Sequence, residues 1–89
     1  MALRILAEPS QPDATARRLR EAIEGAIPGA RVRVEAAGPG HFALEVVSGS
    51  FAGQSRVAQQ QRVYGAIAHL MKGDGAPVHA IDRLRTAVP

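Results

Sequence analysis

The 89-residue chain is 46% hydrophobic, only 3% aromatic, and free of cysteine. That bounds it to one small domain with one core and excludes a disulfide staple, a thiolate metal site of its own and a thiol nucleophile. Eleven Lys and Arg against eight Asp and Glu leave a formal net charge of +3, too small an excess to separate phosphate recognition from a composition rich in arginine throughout.

The apolar part of Met1-Ala2-Leu3-Arg4-Ile5-Leu6-Ala7 is too short for a secretion signal and meets Glu8-Pro9 at once. No later stretch approaches membrane-span length, so the cytoplasm is the expected compartment. Residues 1–12, closing on Glu8-Pro9-Ser10-Gln11-Pro12, read as a flexible leader ahead of a single domain at 13–89. Asp13 is placed to cap a first helix running to about Ala26. Its inner face is Ala16, Leu19, Ile23 and Ala26 or Ile27, and Ile27-Pro28-Gly29 stops it. Arg31-Val32-Arg33-Val34-Glu35 alternates like a half-buried strand. Ala36-Ala37-Gly38-Pro39-Gly40 turns the chain into a second strand with Phe42, Leu44 and Val46 on one face, an antiparallel hairpin.

Ser48-Gly49-Ser50 ends that strand, Phe51 reads as a plug under the connection, and Gly53 supplies a permissive turn. Ser55 is the expected N-cap of a long helix from Arg56 to about Met71. Val57, Val63, Tyr64, Ile67, Leu70 and Met71 are its apolar positions, and Gly73-Asp74-Gly75 its stop. Val78 to Val88 reads as the last strand, its alternation blurred by Asp82-Arg83-Leu84-Arg85. The order is then α-β-β-α-β: an α+β domain with a mixed three-stranded sheet, both helices on one face.

Several short motifs stand in a fixed order: His41-Phe42-Ala43-Leu44-Glu45-Val46-Val47-Ser48, Phe51-x-Gly53-x-Ser55-Arg56-Val57, Gln60-Gln61-x-Val63-Tyr64-Gly65 and Val78-His79-Ala80-Ile81. Together, from about Ala16 to Thr86, they resemble the BolA family and within it the acid-stress, IbaG-like branch. The resemblance implies a fold like class II KH domains. It also implies a heterodimer with a monothiol glutaredoxin, sharing a [2Fe-2S] cluster in iron-sulfur cluster assembly or transfer, or in iron homeostasis. His79 occupies the position of the family's ligand histidine, and the second ligand would come from the loop between the first two strands, where His41 is the candidate.

That implication is chemically coherent. Imidazole nitrogens can replace cysteine at one iron of such a cluster, and the remaining sulfur would come from a glutaredoxin cysteine and bound glutathione, so no cluster is expected in the isolated protein. A ligating imidazole must be neutral, so acid should loosen the site. The last strand holds one residue more than the family's, which predicts a bulge in Asp82-Arg83-Leu84-Arg85. His69, on the outer part of the long helix, is a weak metal candidate.

Two rival readings stand beside this one. The family also includes proteins described as transcriptional regulators of the stress response. Arg56, Arg62 and Lys72 are the cations such DNA binding would use, although no two glycines stand three apart and the GXXG clamp of KH domains is missing. A metal-free protein-protein module would dock through Gln59, Gln60 and Tyr64. An enzyme is not expected: the serines lack a histidine-acid neighbourhood, the carboxylates are scattered, and no P-loop or GxGxxG motif occurs.

Overall fold

Along the central strand, Phe42, Leu44 and Val46 are buried and alternate with His41, Ala43, Glu45 and Val47, which are only partly covered. The period of two sends one set of side chains to each face of the sheet, and this decides on which side the helices pack. The structure is a computed structural model that describes residues 12–89. Its elements are α1 (Pro12–Ala26), β1 (Arg31–Ala36), β2 (His41–Val47), a 3-10 turn (Gly49–Phe51), α2 (Arg56–Met71) and β3 (Ala80–Ala87). The sheet order is β1-β2-β3, with β1 antiparallel and β3 parallel to β2. A parallel neighbour needs a crossover, which α2 supplies.

One apolar cluster joins Leu19, Ile23 and Ile27 from the α1 side, Val63, Ile67 and Leu70 from α2, and Phe42, Leu44 and Val46 from β2, with Phe51 and Val78 closing its ends. Both helices therefore cover the same face of the sheet, as the sequence predicts. The other face carries Arg31, Arg33, Glu35, Arg83 and Arg85, all exposed.

Several expectations need correction. The leader expected at residues 1–12 overlaps the first helix by one residue: Pro12 opens α1 and Asp13 lies in its first turn. A helix's first position tolerates proline, because the missing N–H would find no intrahelical partner there. Residues 1–11 lie outside the described residues. Val57 and Tyr64, counted among the apolar positions of α2, are 62% and 41% exposed, Tyr64 as the docking reading requires. At about 100° per residue, Val63, Ile67 and Leu70 define a narrow stripe that leaves both on its flank. Ile27, not Ala26, reaches the core.

The last strand is shorter than expected, starting at Ala80. Val78 is buried beforehand, its N–H donating to the Leu70 carbonyl at 3.2 Å. The predicted bulge is present: Phe42 pairs with Ile81 and Ala43 with Arg83, which leaves Asp82 as the extra residue. The blurred alternation is thereby explained. Asp82 and Arg83 are both exposed, after which Leu84 is partly buried and Thr86 buried.

At the far end of the sheet Ser48 is wholly buried. Its Oγ donates to the Pro28 carbonyl at 2.7 Å and accepts the Ser50 N–H at 3.0 Å, while its own N–H reaches the Ala87 carbonyl at 3.0 Å. One hydroxyl thus ties the 3-10 turn to the loop after α1. Ser48→Ala should cost about 1–3 kcal/mol, since it strands a carbonyl and an N–H. Urea denaturation checks this; a loss under about 0.5 kcal/mol, the usual scatter for surface changes, would contradict the assignment.

Candidate functional site

Ala37 to Gly40 connect β1 to β2, closed by the Ala37 N–H donating to the His41 carbonyl at 2.8 Å and the His41 N–H to the Gly38 carbonyl at 2.9 Å. The Gly40 carbonyl then accepts two donors from the strand entry opposite, the N–H groups of His79 at 2.8 Å and Ala80 at 3.1 Å. Gly40 is therefore covalently next to His41 and hydrogen-bonded to His79. The tertiary fold brings together two histidines 38 residues apart.

Gly40 has φ +75°, and a Cβ built on it would lie 2.7 Å from Cγ and Nδ1 of His79. The imidazole of His79 occupies the space that any other residue's side chain would need. His79 is exposed. His41, the first residue of β2 and not a loop residue as expected, is partly covered, with 45% of its side chain accessible. Its Nδ1 lies 2.9 Å from Oδ1 of Asp82, whose side chain is equally accessible. Among the described residues no group of three or more His, Cys, Asp or Glu is placed to hold a metal ion.

Two accessible imidazoles at one rim suit a centre that takes nitrogen ligands from this chain and other donors from elsewhere. Both are accessible nitrogen donors, and His79 and His41 are the residues at this rim that could hold a metal. Sequence reasoning did not find Gly40 or Asp82. The extra residue in the last strand was the available signal for the latter.

The other singled-out residues do not converge. Arg56 and Lys72 flank α2 at opposite ends, about 24 Å apart at 1.5 Å rise per residue. Arg62 lies between them and is half-buried. It donates to the Ser50 carbonyl at 3.1 Å and Gln54 Oε1 at 3.0 Å, and its guanidinium lies 5.3 Å from the centroid of the Phe51 ring. Arg62 secures the 3-10 turn, and the three cations form no continuous patch. Gln59 Nε2 donates to the Gln54 carbonyl at 3.0 Å, and its Oε1 is buried without a partner. Gln60 is half-buried and Tyr64 exposed; His69 is exposed on α2, in a shallow groove it shares with Arg18 and Glu21 of α1.

Comparison with known proteins gives the class. The family model described as BolA-like protein matches residues 21–88, and the chain belongs to the BolA family. Among solved structures, the BolA domain of SufE1 from Arabidopsis thaliana is similar at 24% identity and TM-score 0.73, covering 89% of this chain and 96% of that one. BolA1 from the same plant is similar at 22% identity and TM-score 0.68, with coverages of 83% and 90%. A bolA protein homologue from Coxiella burnetii reaches 28% identity and TM-score 0.67, with coverages of 82% and 88%. No curated protein matches by sequence. Among the described residues no helix is long and apolar enough to cross a membrane.

Proposed function

We propose that this BolA-family chain is a non-enzymatic partner of a monothiol glutaredoxin. In the heterodimer it contributes His79, with His41 as the second nitrogen donor, to a [2Fe-2S] cluster that serves cluster assembly, cluster transfer or iron homeostasis. The observation that carries the reading is the meeting of both histidines at Gly40, one through the chain and one through a 2.8 Å hydrogen bond.

The chemistry divides between the partners. This chain brings imidazole and no thiolate, so the glutaredoxin cysteine and glutathione supply the sulfur. Histidine ligation raises a cluster's reduction potential relative to all-thiolate ligation. What this chain's residues do is hold two rings at an accessible rim. The Gly40 carbonyl fixes the backbone of His79, and strand pairing fixes that of His41.

Reconstitution with a monothiol glutaredoxin and glutathione tests the proposal through the visible absorption and circular dichroism spectra. The wild-type mixture should give a spectrum distinct from that of the glutaredoxin alone, and His79→Ala should abolish the difference. An unchanged spectrum in the variant would remove His79 from the cluster.

A further inference from the structure

The bulge at Asp82 has a chemical consequence. In a regular parallel ladder the residue after Ile81 would pair with Ala43; here Arg83 does, and Asp82 is the unpaired extra residue. Bulges re-aim side chains, and this one sets a carboxylate oxygen 2.9 Å from Nδ1 of His41. An ionised carboxylate only accepts hydrogen bonds, so Nδ1 must carry the proton. In the neutral ring the lone pair then lies on Nε2.

From this geometry we infer that Asp82 is a positioning residue: it fixes His41 as the Nδ1–H tautomer and makes Nε2 the nitrogen offered to a metal. The inference rests on the glutaredoxin reading for the identity of the metal centre, but its first link, the tautomer, belongs to the free protein. Carboxylates that accept the far N–H of a ligating histidine orient the ring and raise its basicity, and their loss typically costs about 10–100-fold in metal affinity. His79 has no such partner among the described side-chain hydrogen bonds. The two rings are held by different devices: His41 by a carboxylate, His79 by packing on Gly40.

The test has two arms. In the free protein at neutral pH, nitrogen-detected NMR of the imidazoles should show His41 protonated at Nδ1. Asp82→Ala should move it toward the Nε2–H form, and Asp82→Asn, whose amide oxygen can still accept, should keep the Nδ1–H form. In the complex with glutaredoxin and glutathione, Asp82→Ala should weaken cluster retention about 10–100-fold, with Asp82→Asn intermediate. Arg83→Ala, which removes the exposed side chain next to Asp82 and keeps the carboxylate, should leave both readouts near wild type.

A His41 tautomer indifferent to Asp82→Ala would overturn the inference. So would a cluster lost in His79→Ala and untouched in Asp82→Ala, a result that leaves the glutaredoxin reading intact. Failure of the wild-type complex to hold any cluster would sink that reading instead, and the tautomer arm would then decide the orienting role of Asp82 by itself.

Discussion

Phe51→Ala should destabilise the protein by about 3–5 kcal/mol, the range for truncating a fully buried aromatic residue. The ring is inaccessible and ends the 3-10 turn between β2 and α2. Its removal opens a cavity in the one core cluster and takes away the surface under the Arg62 guanidinium, which stands 5.3 Å from the ring centroid. With 3% aromatic residues and Tyr64 exposed, only Phe42 and Phe51 bring rings into the core. Domains of this size have roughly 5–15 kcal/mol in total, so the variant should be largely unfolded well below the wild-type midpoint. Urea denaturation measures the change directly. A loss under about 1 kcal/mol would mean that the turn collapses onto the gap and that Phe51 does not anchor it.

Gly40→Ala should couple stability to the candidate site. A left-handed backbone costs a non-glycine residue about 1–2 kcal/mol, and the new Cβ would meet the His79 ring at 2.7 Å. Gly53 separates the two effects: its φ is +80°, close to the +75° of Gly40, but a Cβ there would meet nothing within 4 Å. Gly53→Ala should therefore cost the backbone term alone, and Gly40→Ala should cost more by about 1–3 kcal/mol, the usual penalty for overpacking. Because the two 2.7 Å contacts are with ring atoms, most of that excess should vanish in the Gly40→Ala, His79→Ala double variant, which keeps only the 3.1 Å approach to the Cβ of residue 79. Equal losses at the two glycines would show that the ring gives way freely and that Gly40 does not hold His79.

Most of the fold is legible in the residues. The Phe42, Leu44 and Val46 alternation, the Val63, Ile67 and Leu70 stripe, the Ser55 cap and the Phe51 plug each express a local rule, and the structure follows all of them. Errors arose where a local rule gave two answers. Val57 and Tyr64 are apolar and near the helical stripe, yet how wide a stripe the sheet can cover depends on how α2 seats against α1 and β3, and both remain accessible. Gln59, read as an outward contact, bonds instead to the loop before its own helix. Arg62, named as a cation that DNA binding would use, also clamps the 3-10 turn.

His79 and His41 were legible as candidates, but their proximity was not. What the chain determined by itself was the element order, the buried face of each element and the absence of thiols, because these depend on periodicity and composition alone. Register, and with it the site, came only from the tertiary structure. The pairing of β3 with β2 places Gly40 against His79, and one surplus residue in that pairing brings Asp82 to His41. Such contacts depend on how two distant strands align: the surplus residue predicts a bulge in the last strand, but the local sequence of neither strand says which residue is displaced or what it meets.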